Sequence, residues 1–275
     1  MSQASCLCGA VSWQLEGPYD GMVHCHCSRC RKAHGSLFAT FLIGPASSFQ
    51  LKGREEVSRF ESSPGFFRCF CKRCGAVVPG DAVGDKIYVP AGNFSDDPGV
   101  RPTAHIFVAS KAPWFDIADQ LPRFDAYPGG TTAQALPNID PRDPPGAPRG
   151  SCLCGQVAYI MTSPPQRSVN CHCSRCRRAR SAAHGSIVLA AVQYTRGEDL
   201  LVPYTLPNVP RFSYAFCRVC GSPMPKPNPS GETFIAMGTL DDDPGIRPQR
   251  HIYVGSKAPW YEIADNLPQY AEFPA

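Results

Sequence analysis

The chain has no run of about eighteen apolar residues, the length a helix needs to cross the hydrocarbon layer of a membrane. Its first residues, Met1-Ser2-Gln3-Ala4-Ser5, reach Cys6 without the apolar stretch of a secretory signal. A cytoplasmic setting is therefore expected, with no membrane partner and with thiols kept reduced. Charge is sparse too. Only 18% of residues are Asp, Glu, Lys or Arg, and the formal net charge is +4. That balance permits an anionic small molecule but supplies no long basic stripe with stacking aromatics, so nucleic acid is not an expected partner. Low charge together with 29 prolines suits short strands and many turns rather than long helices.

What the chain does have is 15 cysteines in 275 residues, and fourteen of them form a repeat. Cys6, Cys8, Cys25, Cys27, Cys30, Cys71 and Cys74 recur as Cys152, Cys154, Cys171, Cys173, Cys176, Cys217 and Cys220, always 146 positions on. Each copy carries C-x-C, C-x-C-x-x-C and C-x-x-C. Thiols grouped this tightly point to a soft metal, above all zinc. The odd total argues against a closed disulfide framework. Cys69 faces Ala215 at the same offset and stands outside the pattern, as an ordinary buried or free thiol.

The offset continues outside the cysteines. Ser110-Lys111-Ala112-Pro113-Trp114 matches Ser256-Lys257-Ala258-Pro259-Trp260, and Asp97-Pro98-Gly99 matches Asp243-Pro244-Gly245. The chain thus divides into residues 1–127, a Pro/Gly-rich linker at 128–150, and residues 151–275. Aligning His34-Gly35-Ser36 with His184-Gly185-Ser186 makes the second copy four residues longer beside its C-x-C-x-x-C cluster. On that alignment the two sites are expected to be unequal, with the first carrying most of the turnover. Short apolar, often β-branched runs such as Val11–Leu15, Ser36–Ile43, Ile87–Val89 and their counterparts predict strands. A helical turn is expected at Trp114–Leu121 and Trp260–Leu267. The architecture is mainly β, pictured as two folded sheets per repeat with the repeats packed as an internal pseudo-dimer, the chain itself a monomer.

Cys6 and Cys8 with Cys71 and Cys74, and Cys152 and Cys154 with Cys217 and Cys220, each supply four thiolates on tight turns followed by glycine. A metal held by four has no open position, which defines a structural site. Cys25, Cys27 and Cys30, and Cys171, Cys173 and Cys176, supply only three. Either the fourth position stays open, as in a reactive zinc site, or His26 or His34 closes it. Two to four zinc ions per chain are expected, with the four-cysteine sites the more fully occupied. Arg29, Arg31 and Lys32, and Arg175, Arg177, Arg178 and Arg180, crowd the three-cysteine clusters. They form either a solvated positive face or an anion clamp in which Arg31 and Arg177 grip carboxylates. His34 and His184 are candidate acid–base groups, the alternative being a histidine bonded to a backbone carbonyl. His105 and His251 read as core histidines, and Trp114 and Trp260 as core closure.

The order C-x-C-G, C-H-C-S-x-C-R-[KR] with a following H-G-S, C-x-x-C-G and H-I-[FY]-V-x-S-K-A-P-W resembles the glutathione-dependent formaldehyde-activating enzyme family, to which centromere protein V also belongs. The resemblance covers nearly all of both repeats. It implies two tandem Mss4-like zinc-binding β domains, a structural four-cysteine zinc and a catalytic zinc on C-x-C-x-x-C. It further implies carbon–sulfur lyase chemistry on a thiol adduct, with glutathione as co-substrate. Two other expectations stand beside it: a larger reactive intermediate of specialised metabolism as substrate, or a non-catalytic zinc-binding interaction module.

Overall fold

The computed structural model describes residues 2–129, 146–228 and 231–274. Most of the expected linker, residues 130–145, lies outside the described residues. The first repeat opens with β1 (Ser2–Ser5), β2 (Ser12–Leu15), β3 (Gly21–Cys25), α1 (Ser28–His34) and β4 (Ala39–Pro45). It continues with β5 (Phe49–Lys52), β6 (Val57–Ser63), β7 (Phe66–Cys71), β8 (Val77–Val78), β9 (Lys86–Pro90) and β10 (Pro102–Ile106). The second repeat begins with β11 (Arg149–Ser151), β12 (Ala158–Met161), β13 (Arg167–Cys171), α2 (Ser174–Arg180) and β14 (Gly185–Ala190). It ends with β15 (Val192–Arg196), β16 (Leu201–Thr205), β17 (Ser213–Cys217), β18 (Pro223–Met224), β19 (Thr233–Ala236) and β20 (His251–Ile252).

The protein is mainly β, as expected, but each repeat folds into three sheets rather than two. The orders are β1-β2-β5, β10-β3-β4-β9 and β6-β7-β8, and then β11-β12-β15, β19-β14-β13-β20 and β16-β17-β18. The third sheet is a hairpin whose second strand runs into the C-x-x-C turn, so metal chemistry at Cys71 and Cys74 is tied directly to a strand end. Every sheet stays within one repeat. No helix forms at Trp114–Leu121 or Trp260–Leu267. The proline at each end and the aspartate that turns back to a buried histidine favour an irregular strap there. The helices form instead over the C-x-x-C-R-[KR] segments. Cys27 and Cys173 cap them by accepting from the Cys30 and Cys176 amides at 3.3 and 3.4 Å.

The strand registers correct the alignment of the two copies. Cys25 pairs with Ala39 across β3–β4, and Cys171 with Gly185 across β13–β14. Both partners move by the same offset, so the connection holding α1 is as long as the one holding α2, and there is no four-residue insertion. Arg180, not His184, occupies the place of His34 at the last helical residue. His184 stands where Phe38 stands. The two H-G-S tripeptides are a coincidence of composition. The length difference lies elsewhere: the 3-10 turn Ala46–Ser48 precedes β5, whereas Ala190 and Val192 are nearly contiguous. The β16–β17 hairpin is correspondingly longer than β6–β7.

The repeats share one core. Trp13, Trp114, Trp260, Tyr159, Phe94 and Phe216 are almost fully buried in a continuous cluster that draws on both copies. Each tryptophan removes roughly 200 Å² from water, on the order of 5 kcal/mol of transfer free energy. Contacts across the interface are reciprocal. α1 packs on the 3-10 turn Met237–Thr239, and α2 on Ala91–Asn93. Gly75 lies against the Phe216 ring and Gly221 against Phe70; both glycines are left-handed, at φ 69° and 75°. A Cβ there would come within 2.5 Å of the opposing ring, so only glycine lets the knuckle of one repeat touch the other. This is the isologous pattern of a twofold dimer, realised inside one chain.

Candidate metal centres

All fifteen cysteines are free, and fourteen gather into four clusters whose sulfurs lie within 4.8 Å of one another. Cys6 and Cys8 are 3.5 Å apart and Cys8 and Cys71 3.7 Å; Cys152 and Cys154 are 3.3 Å apart and Cys154 and Cys217 3.8 Å. Sulfurs bound at about 2.3 Å to a tetrahedral centre sit about 3.8 Å from each other. These spacings are far too long for disulfides and close to that tetrahedron. The Val11 and Val157 amides donate to Cys6 and Cys152 at 3.3 Å, as expected where backbone N–H groups stabilise thiolate charge. The donor sets therefore fit zinc.

The three-cysteine clusters have the same N–H···S support but no fourth ligand: among the described residues, no other His, Cys, Asp or Glu joins either group. Cys25, Cys27 and Cys30 are buried. In the second cluster Cys176 is only half-buried. Bonds from Cys25 and Cys30 hold the Cys27 thiol well below its ordinary range, and those from Cys171 and Cys176 do the same for Cys173. A guanidinium faces each site. Arg68, on β7, reaches Cys30 Sγ at 3.4 Å, and Arg175 bonds Cys173.

His26 and His172 do not close these sites. His26 Nε2 lies 2.8 Å from His105 Nδ1, and His105 Nε2 lies 2.9 Å from Asp119. His172, His251 and Asp265 repeat the chain at 2.8 and 3.0 Å. The carboxylate accepts from His105 Nε2–H, so His105 Nδ1 must accept from His26 Nε2–H, leaving His26 Nδ1 as a bare acceptor. That nitrogen and its mate on His172 are buried without a hydrogen-bond partner. His105 and His251 are thus satisfied core histidines, and Trp114 and Trp260 are closed core, at 2% and 1% exposure.

The expected acid–base and clamp residues fall at the repeat interface. His34 Nδ1 donates to the carbonyls of Arg180 and Ser181 at 2.8 and 3.1 Å, and its Nε2 is buried without a partner. Burial holds His34 down near 4 and His184 down near 3, so both are neutral around pH 7. Arg31 is buried over the Trp114 ring, 5.5 Å from its centroid, and Arg177 donates to Gly92 and Phe94 carbonyls of the first repeat. Neither is held out as an open carboxylate clamp.

One feature left no trace in either repeat read alone. His24, His26, His105, Phe38 and Phe115 make ring contacts within the first repeat, and His172, His184, His251 and Tyr261 within the second. The two groups meet through Phe38–His184 at 5.6 Å and His24–Tyr261 at 6.2 Å. Six of seven histidines thereby share one buried wall of contacting rings spanning both copies. Only the crossing of chains at the interface creates it. A separate cavity of about 530 Å³ in the first repeat, lined by Phe49, Leu51, Arg54, Arg59, Asp81 and Cys69 among others, contains none of the clustered cysteines.

The pattern of the glutathione-dependent formaldehyde-activating enzyme family matches residues 1–110 and again residues 147–256. The chain belongs to that family, as a tandem duplication of its domain. It is also similar to a Rhodobacter sphaeroides protein of known crystal structure, at 24% identity and a TM-score of 0.29, over 36% of this chain and 97% of that one. No curated protein matches the chain.

Proposed function

We propose that the protein is a zinc-dependent enzyme that makes or breaks a carbon–sulfur bond between a thiol of glutathione type and an electrophilic carbon. The observation that supports this best is the contrast within each repeat between a closed four-thiol cluster and a buried three-thiol cluster lacking a fourth ligand. Zinc bound by three thiolates would lower the pKa of an incoming thiol and hold its sulfur. For a hydroxymethyl thioether the step balances without an oxidant. The hydroxyl proton leaves to a base, the C=O bond forms, the C–S bond breaks, and its electron pair and a proton return to sulfur. His34 Nε2 and His26 Nδ1, both bare and buried in the first repeat, are the candidate acceptors. In the second repeat His172 Nδ1, the counterpart of His26 Nδ1, is bare in the same way, and His184, at the place of Phe38, is a further candidate. Arg31 and Arg177 remain proposed contributors to the field at the site, not direct clamps.

A second reading takes a larger thiol adduct or reactive intermediate as substrate. The positions around the two clusters that differ between repeats support it: His24 against Asn170, His34 against Arg180, Phe38 against His184 and Arg68 against Tyr214. The test is exchange of S-hydroxymethylglutathione with free formaldehyde and glutathione, followed by NMR on zinc-loaded protein. Acceleration lost in Cys27→Ala/Cys173→Ala supports the proposal. No acceleration by folded, fully loaded protein refutes this substrate and moves the search to larger thiol adducts.

A further inference from the structure

The constant register makes Arg68 the counterpart of Tyr214, and His34 the counterpart of Arg180. In the first repeat the strand position carries the guanidinium, whose Nη2 lies 3.4 Å from Cys30 Sγ, and the helix position carries His34. In the second the strand position carries a phenol and the helix position carries the guanidinium. Arg180 is buried, lies over the Tyr214 ring at 5.3 Å, and borders Cys176 at Gly185. We propose that Arg68 and Arg180 are one functional position delivered from two different elements: the counter-charge that lets each three-thiolate metal centre accept a fourth, anionic sulfur.

The charge count shows why such a group is needed. Three thiolates and a divalent metal sum to −1. A further thiolate would raise this to −2 in a pocket largely closed to water, where uncompensated charge is costly. One guanidinium makes the resting centre neutral and the thiolate-bound centre −1. An arginine guanidinium stays charged at any ordinary pH, and Arg68 Nη2 lies 3.4 Å from Cys30 Sγ. The four-cysteine clusters would hold −2 permanently, but there Cys8 and Cys154 are only half-buried, so water shares in the compensation. Arg175, bonded to Cys173, adds a further guanidinium to the second centre, but its counterpart Arg29 keeps the same helix position, so this pair does not account for the exchange.

The inference rests on metal at the three-cysteine cluster, and its test separates that premise from the role of the arginine. Cobalt-loaded protein carrying Cys173→Ala, which leaves the first site alone, is titrated with glutathione and with 2-mercaptoethanol, and the sulfur-to-cobalt bands are read. Arg68→Met is expected to weaken thiol binding by about tenfold or more, the usual size of an outer-shell effect on a metal site. Arg68→Lys is expected to recover part of it. The double exchange Arg68→Tyr/His34→Arg should recover most of it, because it rebuilds the arrangement of the second repeat. Unchanged thiol binding in Arg68→Met, or an exchange no better than Arg68→Tyr alone, overturns the proposal. If Arg68→Met does not fold, the lysine variant and the exchange decide. If even the arginine-containing protein shows no thiol-dependent band, the proposed function fails. Cobalt retention against a chelator then decides the arginine's part: release about tenfold faster in Arg68→Met upholds a counter-charge for the three-thiolate centre, and equal release overturns it.

Discussion

His34 donates a hydrogen bond at 2.8 Å to the carbonyl of Arg180, the residue that occupies its own place in the other repeat. Two symmetry mates touching in this way lie on the pseudo-twofold axis. The C-terminal ends of α1 and α2 therefore meet there, and each three-cysteine helix ends against the opposite repeat. The surface α1 meets includes Pro223, just past the Cys217–Cys220 turn, since a Cβ on Gly35 would strike its ring. Metal in the four-cysteine cluster of one repeat would thus order the surface that supports the three-cysteine cluster of the other.

The interface contains a buried ion pair, and its loss is predicted to be expensive. Lys32 bonds Asp241 and donates to the Ser151 carbonyl at 2.9 Å and hydroxyl at 2.7 Å; both charged side chains are largely shut off from water. In the mirrored contact Arg178 donates to the Ser95 hydroxyl, at 2.8 Å and exposed. Lys32→Met should cost about 3 kcal/mol, because it strands a buried carboxylate, while Arg178→Met should cost under about 1 kcal/mol. Urea denaturation of both variants measures this. Equal, small losses would show that the ion pair does not help hold the repeats together.

Metal removal should separate the two kinds of cluster. Four thiolates clamp the start of each repeat to a hairpin more than sixty residues away, so Cys71→Ser should lower stability and expression sharply. Cys27→Ser should leave the fold largely intact and remove activity. A mild chelator should empty the three-cysteine sites first. Elemental analysis beside thermal melts checks all three outcomes, and identical melts for the two variants would refute the division of labour.

The duplication, the mainly β class and the four cysteine clusters were legible because each is written as spacing, and a metal cluster demands fixed spacing. The helices over Ser28–His34 and Ser174–Arg180 were not, since their N-cap is a cysteine whose sulfur looks committed to metal alone. The third sheet escaped notice because β8 and β18 are two residues long. His34-Gly35-Ser36 misled the alignment: a three-residue match outweighed strand register, which needs pairing partners to be seen. The shared histidine wall could not be read at all, because it is made by side chains that meet only when two repeats pack.

Acid should weaken the fold through its buried histidines. His34 titrates near 4 and His184 near 3 when folded, because burial disfavours the cation, against 6.5 ordinarily. Above pH 6.5 both states are neutral and nothing is lost. As pH falls below 6.5 the unfolded chain takes up protons that the folded chain refuses. Stability then drops by up to roughly 1.4 kcal/mol per histidine per pH unit, until the folded value is reached. His34→Gln should flatten the slope between pH 6.5 and 4.5 by about one proton. Denaturant midpoints across that range, compared with the unaltered protein, measure it. An unchanged slope would mean that His34 is already charged in the folded state.

The two three-cysteine sites are predicted to contribute unequally, for reasons of environment and not of length. Both helices leave their clusters at the same register, so no displaced wall distinguishes them. The first cluster is buried throughout and has Arg68 within bonding distance of Cys30. The second leaves Cys176 only half-buried, draws its guanidinium from the helix position Arg180 and not from the strand, and has Asn170 and Ser186 where the first has His24 and Thr40. Electrostatic help to a developing thiolate is stronger where water is excluded, which favours the first. Cys27→Ala is therefore expected to remove most thiol-adduct turnover, on the order of tenfold or more, and Cys173→Ala to spare most of it. Each variant is assayed after its fold and its four-cysteine metal content are confirmed. Losses of about half in each would indicate two equivalent sites, and complete loss in Cys173→Ala alone would move the chemistry to the second repeat.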